Sequence, residues 1–324
     1  MLNRLAKILA VLFVMIVLTG LIVGAVIPGL LALRDDGVDG SAVVEAAAFP
    51  VAIVEVTDGA FVYAERQTGA IRLVRGDGQL EPRPVASVPV TADGQRGLLG
   101  LARTGTGDEA RLFAAWTRPD DGRLVVGQVF PGEPRLIWEG PVSVERGNGG
   151  HLDVSPLGEL VIGIGDAGAA DLIEDPDEPN GKMLALDPDG EVDQTPEVLS
   201  SGWRNPFAFA HDDDGRLWVA DNAPPGQAER IGVGDKEDGP LLELDENLAP
   251  SALIVLDDGD LGVCGFLDGQ MRQVAVDRGG GPGTDPTAEL TEDVVVEPCT
   301  VAAAQLSDGS TLFATTTEIR RQDP

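Results

Sequence analysis

Three arginines stand at comparable points of the chain. Arg96, Arg146 and Arg204 each lie just ahead of a short apolar segment. A guanidinium offers five donors in a fixed fork and keeps its charge at any physiological pH, so it suits carboxylates and other anions. Brought together, the three would form a local anion site; paired with neighbouring acids such as Glu145, they would be structural. His151 and His211 are the only histidines, which argues against a multi-histidine metal centre. Cys264 and Cys299 are the only cysteines, and no CxxC signature is present. Asp166, Asp171, Glu174, Asp175, Asp177 and Glu178 crowd one segment, which either binds calcium or caps a cleft, or is solvated like the rest of an acidic surface. A metal-dependent, lactonase-like hydrolase would need more side-chain ligands than Glu145, Asn148 and Asn205 provide.

The charge balance sets the partners. The 324 residues carry a net charge of −31, which excludes the basic footprint of a nucleic-acid-binding protein. Hydrophobic residues make up 43%, enough for a sizeable core and against wholesale disorder. Only three basic residues are lysines. Either a carboxylate-rich surface keeps the protein hydrated at high salt, or the bias reflects codon composition.

Residues 8–33 contain no charged side chain, and about 20 apolar residues cross a bilayer. Arg4 and Lys7 precede the run, so residues 1–36 are expected to be a cytoplasmic stub and transmembrane signal-anchor, with the remainder outside the cytoplasm. Cleavage as a signal peptide is the alternative. The expected localisation is membrane-anchored and extracellular or periplasmic, where cysteines can oxidise.

The elements that must position these residues repeat. A turn, a short alternating strand, a polar or glycine-bearing loop and a second strand recur six times, at TDGAFVYAERQTGAIRLV from Thr57, GDEARLFAAWTRPDDGRLVVGQV from Gly107, PLGELVIGIGD from Pro156, DDGRLWVADN from Asp213, DDGDLGVCGFLDGQMRQVAV from Asp257 and SDGSTLFATTTEIRR from Ser307. Another apolar stretch precedes each turn: PVAIVEV, GLLGLAR, HLDVSP, PFAFAHD, SALIVLD and TVAAAQL. Alternation between such turns reads as β-structure, and six copies predict an all-β, six-bladed β-propeller over residues 50–324, preceded by one N-terminal transmembrane helix. Inner strands would then start at one mouth, to which the loops between second and third strands also return. Arg96, Arg146 and Arg204 fall at those starts. Cys264, late in the fifth unit's second strand, and Cys299, at the start of the sixth unit's first, come within range of a disulfide. The last unit lacks a fourth strand. Residues 37–49 are read as a tether that includes a candidate closing strand, with 40–48 pairing against Glu318–Arg321.

In family order, the segments DGAFVYAERQTGAIRLV (58–74), GQRGLLGLA (94–102), NGGHL with GELVIGIGD (148–166), NGKMLALDPDG (180–190) and GWRNPFAFA with DGRLWVADN (202–222) resemble the glucose/sorbosone dehydrogenase family. The resemblance implies a propeller that removes hydride from a sugar hydroxyl onto pyrroloquinoline quinone, with calcium bound and a histidine as base. Carried over residue by residue, Arg204 and Asn205 match the pair that contacts the quinone, and Gln95 a glutamine near the sugar. Ala223, Pro224 and Glu229 partly match the calcium loop. The base position holds Gly147, with Arg146 in place of the acid before it; His151 lies four residues further on. A lysine of the pattern is Asp268 here, and two arginines are Cys299 and Val301. The resemblance thus implies a sugar dehydrogenase framework in which the base is missing. The alternative is an inactive propeller that binds a carbohydrate or anionic ligand.

Overall fold

The computed structural model describes residues 40–324 except 58, 174, 225, 235–241, 245–247 and 279–285. The expected transmembrane helix and anchor, residues 1–36, lie outside the described residues. Among the described residues, no helix is long and apolar enough to cross a membrane.

The described residues form 24 strands in six four-stranded antiparallel sheets, arranged as a six-bladed propeller. Strand β1 (Ser41–Val44) comes first in the chain but belongs to the last blade. Blade one is β2 (Pro50–Thr57), β3 (Ala60–Glu65), β4 (Ala70–Val74) and β5 (Ala86–Ser87); blade two is β6 (Leu98–Thr104), β7 (Arg111–Thr117), β8 (Arg123–Phe130) and β9 (Arg135–Val142). Blade three is β10 (Gly149–Val154), β11 (Leu160–Ile164), β12 (Lys182–Leu186) and β13 (Glu197–Ser201); blade four is β14 (Ala208–His211), β15 (Leu217–Asp221), β16 (Glu229–Val233) and β17 (Leu242–Leu244). Blade five is β18 (Pro250–Val255), β19 (Leu261–Gly265), β20 (Met271–Asp277) and β21 (Thr287–Val296). Blade six is β22 (Ala302–Gln305), β23 (Thr311–Ala314) and β24 (Ile319–Gln322), completed by β1.

The second strands are buried along their length, so each sheet has two apolar faces, and the core is divided accordingly. Buried side chains form six clusters, each filling one interface between neighbouring blades. Between blades two and three, Phe113, Leu124 and Ile137 meet Leu160, Ile162 and Leu184. Between blades four and five, Trp218 and Ile231 meet Leu261 and Val263. Each such side chain contributes about 1.5–3 kcal/mol by leaving water. The ring is therefore held by blade-on-blade packing, and it needs closure.

Closure comes from the N-terminal side. In β1, Ser41 pairs with Arg321, Ala42 with Arg320 and Val44 with Ile319. Val44 and Ala47 are buried in the cluster shared by blades six and one. The same mouth-side rim carries a covalent tie. Cys264 and Cys299, 35 positions apart in sequence, form a disulfide with Cα atoms 5.4 Å apart. A loop of that length is worth about 4 kcal/mol by the chain-entropy account.

Candidate functional site at the propeller mouth

Backbone hydrogen bonds tie neighbouring blades together at the mouth, because inner-strand starts and second-to-third-strand loops converge there. Arg66 N donates to Phe49 O (2.9 Å) and Leu98 N to Arg66 O (3.1 Å). Gln95 N donates to Glu145 O (2.8 Å), Ala167 N to Gly147 O (3.0 Å) and Asp166 N to Arg204 O (2.8 Å). Phe266 N donates to Ala249 O (3.0 Å). The side chains follow this arc from blade to blade.

Gln95 and Gly147 meet directly: Gly147 N donates to Gln95 Oε1 at 2.7 Å. Gly147 sits at φ +74, a left-handed conformation that a side chain disfavours. A Cβ placed there would meet nothing closer than Asp166 Oδ1 at 3.6 Å. Backbone conformation, not space, holds that position to glycine. Asn148 is buried and turned away from the mouth, its carboxamide accepting from Val144 N (2.7 Å) and donating to Val144 O (2.8 Å). It pins the turn that carries Gly147.

The three arginines do not converge as one free cationic cluster. Arg96 is paired with Asp93, not Glu145. Arg204 Nη1 reaches the buried Asp166 at 3.2 Å. Arg146 is exposed and has no ion-pair partner among the described residues. Asn205 is structural in its contacts: its Oδ1 accepts from Gly149 N at 2.9 Å. Beneath this pair lies Asp221, 0% exposed, which accepts from Arg204 N (3.0 Å), Asn205 N (2.7 Å) and Arg230 Nε (3.1 Å). Burial pushes its carboxyl up, against the pull of those three donors.

The positions carried over for calcium are also engaged. Pro224 O accepts from Gln227 N at 3.1 Å. Glu229 is buried, and both its carboxylate oxygens accept from Ala249 N, at 3.0 and 2.9 Å, tying blade four to the start of blade five. Ala223 lies half-buried beside Pro224. Among the described residues, no cluster of three His, Cys, Asp or Glu side chains could hold a metal ion.

His151 projects from β10 against two aromatic rings, Phe207 at 5.9 Å and Phe209 at 4.8 Å between centroids. Burial pushes its imidazole down to about 4, despite the opposing pull of Asp153. It is therefore neutral in the fold, whereas in an unfolded chain it titrates near 6.5. The stability this neutral form provides is complete above about pH 6.5 and is lost as pH falls towards 4. Wild type should lose about 2 kcal/mol between pH 7 and pH 5 relative to His151→Leu. Denaturant midpoints of both proteins at the two pH values check this; parallel changes would refute it.

Two mouth residues carry no signal in the motif-level reading of chemistry. Lys182 heads an apolar strand and is buried; its Nζ donates to the carbonyls of Ile173 (3.2 Å), Asp175 (2.8 Å), Glu178 (2.5 Å) and Asn180 (3.3 Å). The acidic segment thus wraps its backbone around an ammonium. The second is Arg66, whose guanidinium lies 4.0 Å over the Phe49 ring and donates from Nη1 to Gly94 O at 2.6 Å.

Comparison with known proteins places this geometry. The profile of the family described as Glucose / Sorbosone dehydrogenase matches residues 47–231. No curated protein matches the chain. A Thermus thermophilus structure titled as an oxidoreductase (glucose dehydrogenase) is 22% identical, with a TM-score of 0.73 over 87% of this chain and 98% of its own. The PQQ-bound aldose sugar dehydrogenase of Streptomyces coelicolor is 19% identical, with a TM-score of 0.70 over 89% of this chain and 96% of its own. The soluble aldose sugar dehydrogenase of Escherichia coli, in its apo form, is 18% identical, with a TM-score of 0.69 over 87% and 97%. At these identities the solved structures establish a shared fold. With the family profile covering more than half of its length, the chain belongs to the Glucose / Sorbosone dehydrogenase family.

Proposed function

We propose that this chain is a membrane-anchored, extracytoplasmic family member that keeps the mouth framework of a quinone-dependent sugar dehydrogenase but binds a carbohydrate or anionic ligand without oxidising it. The observation that carries this reading is the turn at Gly147. Family resemblance puts the base there, and here the residue has no side chain and a backbone at φ +74. Neither histidine supplies a replacement at that turn. His151 is packed against Phe207 and Phe209, and His211 Nδ1 is bonded to Asp153 at 2.7 Å. A general base must lie within hydrogen-bond reach of the proton it takes.

The residues present fit the family's cofactor poorly. Pyrroloquinoline quinone bears several carboxylates and needs cations that are free to take them. Arg204 is held by Asp166, and the positions matched to further cations are Asp268, Cys299 and Val301. Asp268 itself pairs with Arg272 at 2.9 Å, and the two cysteines are bonded to each other. Glu229, matched to the calcium loop, is spent on Ala249 N.

Purified protein incubated with pyrroloquinoline quinone and calcium should show no aldose-dependent dye reduction. Steady turnover with any aldose would overturn the reading, and its loss in His151→Ala would show that the base had moved.

A further inference from the structure

We propose that the arc of the mouth running from Phe266 through Phe49 to Arg66 is a subsite for a carboxylate-bearing carbohydrate, with Arg66 taking the carboxylate and Phe266 the apolar face of a sugar ring. This rests on the ligand-binding reading of the mouth and narrows its ligand to an acidic sugar.

The charge accounting around Arg66 carries the argument. Acidic residues outnumber basic ones 54 to 23, so a guanidinium here has a surplus of carboxylates to choose from. Among the described residues, Arg66 pairs with none of them. Glu65, next to it in sequence, turns into the blade and binds Arg72 Nε (2.9 Å) and Thr68 Oγ1 (2.6 Å). Asp93 is paired with Arg96, and Asp166 with Arg204. These three carboxylates are thus committed to other partners. Arg66 spends Nη1 on Gly94 O, and its buried Nε has no acceptor. A planar carboxylate is the acceptor that a guanidinium fits best.

The aromatic side of the arc is equally specific. Phe49 lies in the left-handed region at φ 64, costly for an aromatic residue. It is held there by bonds from Phe49 N to Thr316 O (3.0 Å) and from Arg66 N to Phe49 O (2.9 Å). Its ring supports the Arg66 guanidinium and stacks with Phe266 at 6.4 Å between centroids and 24° between planes. Phe266 is 44% exposed and its neighbour Leu267 65% exposed. An open aromatic next to a guanidinium without a carboxylate partner matches a ligand with an apolar ring face and an attached carboxylate. Further along the arc, past Gln95 and Gly147, Arg146 adds a second cation without an ion pair and favours an anionic approach.

The test is calorimetric titration of the full-length chain in detergent, without added cofactor, using digalacturonate and the neutral disaccharide galactobiose. Digalacturonate should bind more tightly by about tenfold or more, and only its affinity should fall with added salt. Arg66→Leu should bring the acid down to the affinity of the neutral sugar and leave the neutral sugar unchanged. Arg66→Lys, which keeps the charge but loses the fork, should recover only part of the preference. Phe266→Ala should weaken both ligands. Arg83→Leu, exposed on the outer edge of blade one between β4 and β5, should alter neither. Equal affinity for the two sugars, or an acid preference that survives Arg66→Leu, overturns the subsite and leaves the broader binding reading standing. Absence of saturable binding by either sugar overturns both. Should Arg66→Leu fail to fold, the salt dependence on wild type and the Phe266→Ala titration decide the matter.

Discussion

Deleting residues 41–48 should lower the Tm of the propeller by about 10 °C, equivalent to about 4 kcal/mol for a domain of this size. Two losses make up that figure. The pairing of Ser41, Ala42 and Val44 with Arg321, Arg320 and Ile319 disappears, which leaves β24 as a raw edge. Val44 and Ala47 also leave the cluster between blades six and one, where they pack with Ile53, Tyr63, Leu312 and Ile319. That cluster is the interface that keeps the ring shut, so the loss falls on the whole fold and not on a frayed end. Val44→Asp offers a second route to the same interface. The residue is 4% exposed, and an unpaired carboxylate there costs several kcal/mol. Thermal unfolding followed by circular dichroism reads both variants. An unchanged Tm in the deletion would mean that the ring is closed by packing alone.

The propeller can be read from its sequence because its second strands are buried on both faces and bounded by turns that need particular residues. At Gly259 and Gly309 the chain adopts φ 87 and φ 84, and each turn is closed by a bond from the glycine N to the carbonyl three residues back. The outer strands leave a weaker trace. β5 is two residues long, and β21 is mostly exposed, so neither has a strong apolar pattern. The site is legible only as far as topology reaches. Strand order puts Arg96, Arg146 and Arg204 at inner-strand starts and brings Cys264 to Cys299. It does not say which acid each guanidinium takes. Arg204 finds Asp166, 38 positions away in sequence, because the β11–β12 loop returns to the rim beside blade four. Arg66 escapes notice for the converse reason. Its neighbour Glu65 turns inward to Arg72, and nothing local records that Arg66 is left over. Lys182 is similar: its partners are backbone carbonyls, which no residue-type pattern marks.

Replacing Asp221 should damage the mouth more than replacing any residue that faces solvent there. Its carboxylate is fully buried and collects three donors: the amides of Arg204 and Asn205 and the Nε of Arg230. Arg230 in turn donates to Gly202 O and lies 5.4 Å over the Trp203 ring, so one carboxylate fixes the whole 202–205 segment. Asp221→Ala leaves two amides and the Arg230 Nε without their acceptor. Leaving three donors without an acceptor at a fully buried position costs about 3–5 kcal/mol. The Tm should fall by about 10 °C. Asp221→Asn separates the parts of this effect. Its one oxygen still serves the two amides, but its NH2 now faces the Arg230 guanidinium, donor against donor. The Asn variant should therefore be intermediate in stability. Amide hydrogen exchange should accelerate at Arg204 and Asn205 in the Ala variant, and at Gly149, whose N–H depends on Asn205 Oδ1. Unchanged protection at Gly149 would show that the blade-three turn is held by its own bonds, from Asn148 to Val144 and from Gly147 to Gln95, without help from blade four.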